Sequence, residues 1–168
     1  HLEESEIVVI PNSVFISDID CTTEGSGFRQ NNGISPDTTI CLFVGTDYQP
    51  NIDAVNTLMT LSEHLDENIL ILVVGTVCDR FNRSKENVKL AGYVEDINSI
   101  YEAADIGLNP MLKGGGSNIK MLEYFSKNIP TITTPFGARG LDINHSQEAL
   151  ITELSSFPQA IHSLSSDS

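Results

Sequence analysis

The chain has 168 residues, 40% hydrophobic and 19% charged, with nine Lys and Arg against 23 Asp and Glu for a formal charge of -14. That size and balance describe one ordinary folded domain, or one domain with a short appendage, and exclude wholesale disorder. They also exclude nucleic acid or an anionic lipid surface as a general partner, because so acidic a chain repels polyanions at long range. No apolar run approaches the roughly 18 residues of a membrane-spanning helix, and none reads as a signal peptide. Three cysteines (Cys21, Cys41 and Cys78) cannot all pair and have no metal-ligand spacing, which favours a reducing compartment. The acidity reads as a solubility device, with adaptation to high salt as the lesser alternative, and at this net charge an anionic ligand needs a local positive site.

In chain order, Ile7–Ile10 is an isolated strand-like run before Pro11-Asn12, and residues 17–38, rich in Ser, Thr, Asp, Asn and Gly, read as a loop or linker. Thr39–Val44 (TICLFV) is a continuous apolar and β-branched run ending at Gly45, as a strand buried on both faces should be. Pro50-Asn51 opens a helix, with Asn51 as its N-cap and Val55, Leu58, Met59, Ser62 and Leu65 on its buried face. Ile69–Val74 (ILILVV) is a second buried strand and Val88–Ala91 a short third, closed by Gly92. A helix over 96–103 follows, with Ile97, Ile100, Tyr101 and Ala104 as its apolar stripe.

Ile106–Leu108 is a fourth strand, stopped by Asn109-Pro110. Gly114-Gly115-Gly116-Ser117 leads into a helix over 117–126, and Thr131–Thr134 is a fifth strand with Pro135-Phe136-Gly137 as the loop after it. Ala149–Ile151 is a sixth, edge strand, and Phe157–Leu164 a last helix with Pro158 in its first turn. This alternation predicts an α/β fold, a doubly wound Rossmann-like parallel sheet, with ligand loops along the carboxyl edge. Residues 1–38 are expected to be junction strand and linker, 39–164 the folded domain, and 165–168 a frayed tail.

No G-x-G-x-x-G follows the first strand and no G-x-x-x-x-G-K-[ST] occurs, so the dinucleotide and P-loop fingerprints are absent. The four histidines (His1, His64, His145 and His162) stand away from any nucleophile elbow. The informative stretch is residues 113–140. Consecutive glycines before a helix let backbone N–H groups approach a ligand, and the helix start favours a phosphate. A Gly-rich loop also serves as a plain tight crossover. Residues 113–139 hold Lys113, Lys120, Lys127 and Arg139 against the single acid Glu123, a local balance of +3 in a chain of -14. Lys120, Glu123 and Lys127 share one face of the helix while Met121, Leu122 and Phe125 take the packed side. That face reads equally as a solvated row of ion pairs or as a lysine for phosphate beside a carboxylate for ribose hydroxyls.

The stretch GGGSNIKMLEYFSKNIPTITTPFGARG resembles the donor-binding half of GT-B retaining glycosyltransferases, group 1 (glycogen synthase and mannosyltransferase-like), where a Gly-rich loop enters K-x-x-E-A and G-x-P-V-V-x-T-x-x-G-x-x-G follows. CLFVGTDYQPNIDAV and NVKLAGYVEDINSIYEAADIGLNP are similar to its first strand and helix and to its F-x-G-x-V-x-D segment, and VVIPNSV to the junction between halves. The resemblance covers residues 7–164 and implies transfer of a sugar, with retention, from a nucleotide-diphosphate sugar. It implies catalytic roles for Lys120 (phosphate) and Glu123 (ribose). Donor contacts would come from Gly45, Thr46, Gly92, Tyr93, Val94, Gly114, Gly115, Gly116, Ser117 and Asn118. No metal or other cofactor is expected.

Departures from the family pattern are specific. Gly115 stands where the first glutamate of E-x7-E would be, Asn118 where one branch often has Arg, and Ser13 where PNG has glycine. The Arg and Lys common after the first strand are missing from GTDYQPNIDAV. The acceptor-binding half would precede this chain, supply acceptor chemistry and any membrane contact, and pair with Ile7–Ile10. The resemblance therefore implies a cytoplasmic domain that is inactive by itself. Gly115 and Asn118 motivate a second reading, a degenerate domain of the same fold that binds nucleotide weakly or not at all and serves assembly. A receiver-like signalling domain would need an acidic cluster after the first strand and a Lys after the fifth, and Asp47 and Thr134-Pro135 do not supply them.

Overall fold

The computed structural model describes residues 12–14, 25–116 and 118–166. The Ile7–Ile10 run and Ser117 lie outside these described residues. Six strands form one wholly parallel sheet: β1 (Thr39–Val44), β2 (Ile69–Val74), β3 (Val88–Gly92), β4 (Ile106–Asn109), β5 (Thr131–Thr133) and β6 (Leu150–Ile151), in the order β3-β2-β1-β4-β5-β6. This is the doubly wound order, and its reversal between β1 and β4 opens a crevice at the carboxyl edge. β1 and β2 pair along their full length, Thr39 with Ile69 through Val44 with Val74. Both begin and end where the unbroken apolar runs do.

Two cores cover the sheet. On one face α2 (Gln49–Leu61) and α6 (Phe157–Ser166) bring Val55, Leu58, Phe157 and Ile161 against Cys41, Phe43, Ile71, Val73 and Ile132. On the other, α3 (Asn98–Ala103) and α4 (Ile119–Ser126) bring Ile100, Tyr101 and Tyr124 against Ile40, Leu42, Leu72 and Val74. Burying each such side chain contributes roughly 1.5–3 kcal/mol, so the central strand β1, covered on both faces, anchors the domain.

Between β1 and β4 the pairing is short, Cys41 with Ile106 and Leu42 with Gly107. The wholly buried Tyr124 fills the gap beyond it. Its hydroxyl donates to the Leu42 carbonyl (3.2 Å) and accepts from the Val44 N–H (3.2 Å). A glycine in mid-strand is what admits the ring, since a Cβ on Gly107 would stand 2.6 Å from Tyr124 Cδ2. Burial pushes the phenol pKa up, so the hydroxyl keeps the proton that it donates.

Several boundaries differ from the sequence expectation. Residues 25–31, expected as linker, form α1 (Gly25–Asn31), and a helix this short depends on tertiary contacts. Arg29 supplies them, donating to Thr38 O (2.7 Å), Ala103 O (2.9 Å) and the Asp105 carboxylate (2.6 Å). The Pro135-Phe136-Gly137 loop is a helical turn, α5 (Pro135–Ala138), capped by the Thr134 hydroxyl, which accepts from the Gly137 N–H (2.9 Å). Ser165 and Ser166, expected to fray, belong to α6. Asn51 is not the N-cap of α2; the helix starts two residues earlier behind Tyr48, and the Asn51 side chain is directed elsewhere.

Candidate functional site

The loops after β1, β2, β3 and β4 and the start of α4 enclose a cleft of about 600 Å³ at the carboxyl edge. That is ample for a nucleotide-sized ligand. Of the residues expected from the sequence, Gly45, Thr46, Tyr93, Val94, Gly114, Gly116, Asn118, Lys120 and Glu123 line it together. Gly92 ends β3 just before Tyr93, and Gly115 is exposed on the loop, its N–H 3.4 Å from the Tyr48 hydroxyl. Tyr48, Asn51, Thr76, Ile97 and Ile119 also line the cleft, and sequence reasoning missed them.

The glycine loop is built, not slack. Gly114 holds φ 132°, which favours glycine, while a Cβ at Gly115 or Gly116 would meet open space. Arg139 reaches across from α5, its Nη2 donating to Gly114 O (2.7 Å) and Gly116 O (3.0 Å) while the guanidinium lies 3.9 Å over the Phe136 ring. Asn118 Nδ2 donates to Gly137 O (2.9 Å), tying the head of α4 to the same turn. Asn118 itself sits in the left-handed region, φ 48°, so α4 starts at Ile119 rather than at 117.

Lys120 and Glu123 stand one turn apart on α4. Lys120 Nζ lies 4.0 Å from the centre of the Phe43 ring and donates to Asn51 Oδ1 (3.2 Å). Burial pushes its pKa down to about 7, with Glu123 pulling the other way. Glu123 Oε2 accepts from the Tyr101 hydroxyl (2.8 Å), which orients the carboxylate at the cleft wall. Burial, then the Glu123 charge, pushes the Tyr101 phenol up and keeps it a donor.

These contacts correct the charge reading. Lys113 pairs with Asp53 (2.7 Å), outside the +3 window, and Arg139 is engaged by loop carbonyls. Lys113, Lys120 and Arg139 line the cleft and Lys127 does not, so the local field is weaker than the count of cations. Asp47, the lone acid after β1, is ion-paired with Arg80 (2.8 Å), and its backbone N–H donates to the Thr76 hydroxyl (2.8 Å). Among the described residues no group of three or more His, Cys, Asp or Glu stands where it could hold a metal, and no helix is long and apolar enough to cross a membrane.

Comparisons with known proteins bear on the fold and the family. The lipopolysaccharide glucosyltransferase WaaG of Escherichia coli is 29% identical over 116 residues, 64% of this chain and 31% of that protein. A glycosyltransferase structure from Rickettsia africae superposes with a TM-score of 0.77 at 19% identity, covering 98% of this chain and 48% of that one. The structure of Anabaena HepE in complex with UDP gives 0.71 at 15% identity, covering 86% and 43%. The chain thus spans about half the length of these structures and less than a third of the curated relative. At such identities the superpositions speak for the fold, the Rossmann-like half expected from the sequence. The family model for glycosyl transferases group 1 matches residues 38–167. The match covers every strand of the sheet and all of the cleft, and the chain belongs to that family.

Proposed function

We propose that the chain is the donor-binding domain of a glycosyltransferase that moves a sugar, with retention, from a nucleotide-diphosphate sugar. The observation that carries this reading is that Lys120 and Glu123 line a single cleft together with Gly114, Gly116, Tyr93 and Val94. The diphosphate lies along the Gly114–Gly116 loop and the start of α4, with Lys120 on a phosphate oxygen and Glu123 on the ribose hydroxyls. The base lies by Gly92, Tyr93 and Val94. As the bond from anomeric carbon to phosphate oxygen breaks, negative charge grows on the leaving diphosphate, and preorganised N–H groups with the ammonium stabilise it. The HepE structure with bound UDP, of the same fold, supports a nucleoside diphosphate as the ligand class.

The reading assigns acceptor binding and deprotonation to a separate, acceptor-side half, so the isolated domain binds donor without turnover. Any membrane contact belongs to that half. A cytoplasmic setting is supported by Cys41 and Cys78, both free, buried thiols. The chain's own groups meet the leaving charge, with no metal in the proposed step.

A thermal-shift panel of UDP, GDP and ADP tests the reading. A ligand that binds only the folded state, at about 100 times its dissociation constant, adds roughly 2.7 kcal/mol. At least one nucleotide should raise the melting point. Glu123→Ala should weaken that response and spare the response to inorganic diphosphate, whereas Lys120→Ala should weaken both. If no nucleotide shifts the melting point, the domain is a degenerate member of the fold that serves assembly.

A further inference from the structure

We propose that Asn51 is the positioning residue for Lys120: its side-chain oxygen holds the ammonium over the Phe43 ring, aimed into the anion site. The anion part of this inference rests on the donor-site reading above; the Asn51–Lys120 link does not.

The sequence places a buried amide where it has no helical duty. Asn51 is 8% exposed, on the first turn of α2, yet caps nothing. Its Nδ2 donates to the Thr46 carbonyl (3.0 Å), which can only accept. The amide orientation is thereby settled, because the other side faces Lys120 Nζ, which can only donate. A backbone contact at Thr46 thus presents Asn51 Oδ1 to a lysine 69 positions further along the chain.

The seat is close-packed. A Cβ on Gly45 would stand 3.0 Å from Phe43 Cε1 and 3.2 Å from Asn51 Cβ and Cγ, tighter than ordinary packing, so the glycine gives the ring and the amide room to sit side by side. Ring face and carbonyl dipole both favour the charged amine. No salt bridge to Lys120 occurs among the described residues. Of the other charged groups around it, Glu123 lies on its own helix. Lys113, on the glycine loop, and Arg139, just after α5, line the same cleft and are held by Asp53 and by loop carbonyls. The phenols of Tyr48 and Tyr93 line that cleft too. A neutral acceptor orients the ammonium without cancelling its charge, which leaves that charge to meet a phosphate oxygen. A carboxylate at position 51 would orient it and neutralise it.

The test reads Lys120 directly and separately from any ligand. In the ligand-free chain labelled with carbon-13 lysine, the Cε shift of Lys120, assigned with Lys120→Arg, is followed across neutral pH by NMR. Asn51→Ala should move its midpoint down by about one pH unit, because a dipole favouring the cation is gone. Asn51→Asp is isosteric, and the Thr46 hydroxyl, 3.5 Å from the amide nitrogen, can turn to its carboxylate. It should move the midpoint up by at least as much. Calorimetry with UDP and with inorganic diphosphate at neutral pH should then show about tenfold weaker binding in both variants, one by loss of charge and aim and the other by competition. Midpoints that stay put in both variants overturn the proposal, even if affinity falls. Opposite midpoint shifts with no binding of UDP or diphosphate to the wild type uphold the Asn51–Lys120 link and overturn the donor-site reading instead.

Discussion

Tyr124→Phe isolates one oxygen at the centre of the fold. The ring remains against Gly107, so no cavity opens and the β4 contact persists. What disappears is one contact of the buried Leu42 carbonyl, which stays within the strand pairing of Leu42 with Gly107, and the partner of the half-buried Val44 N–H, where β1 has run beyond its pairing with β4. Leaving a buried group unpaired costs about 1–3 kcal/mol, so one orphaned N–H and one weakened carbonyl should together cost about 2 kcal/mol. For a chain of this length each kcal/mol moves Tm by about 2–4 °C, which predicts a fall of about 4–8 °C. Urea unfolding followed by circular dichroism should show a lower midpoint at unchanged slope, since the exposed surface is the same. A loss under about 1 kcal/mol would refute the reasoning: the hydroxyl would then add little to what the apolar contacts and the full-length pairing with β2 already hold.

Gly107→Ala should destabilise by about 1–3 kcal/mol through overpacking against the Tyr124 ring, and combining it with Tyr124→Leu should give less than the sum, read as a coupling energy in denaturant melts. Tyr101→Phe frees Glu123 Oε2 and should weaken UDP binding about fivefold to tenfold while leaving inorganic diphosphate unchanged, as calorimetry would show. Arg139→Lys keeps the charge and loses the fork that holds Gly114 O and Gly116 O; amide exchange at Gly114–Gly116 should quicken and diphosphate affinity drop several-fold. Unchanged exchange in that variant would mean that the loop holds its shape without the arginine.

The fold was legible where a strand is buried on both faces. TICLFV and ILILVV have no reason to alternate, and each coincides with its strand to the residue. Elements whose stability comes from elsewhere were not legible. Seven residues rich in Gly and Ser make α1 because Arg29 finds Asp105, 76 positions away. PFGA makes α5 because Thr134 caps it and Asn109 and Asn118 both donate to the Gly137 carbonyl. The cleft shows the same divide. Lys120 and Glu123 were readable because one helix face carries both. Asn51 was read as a cap, since the residue type suits one, and only the meeting of α2 with α4 reveals its duty. The +3 window was sound as a count and too strong as a field, because Asp53 stands 60 positions before Lys113 and no local rule links them.

That muted field changes how a ligand would arrive. Lys113 is neutralised, Arg139 faces carbonyls and Lys120 sits near its titration point, while the whole chain carries -14. An anion diffusing toward the cleft therefore climbs a repulsive slope until it is within a few ångströms. Screening shortens from about 30 Å at 0.01 M salt to about 8 Å at physiological strength, so added salt should speed capture rather than slow it. The bound state, made of short N–H and ammonium contacts, is less exposed to that screening. Such a cleft gathers no cloud of stray polyanions at its mouth, and selects among anions by fit at close range.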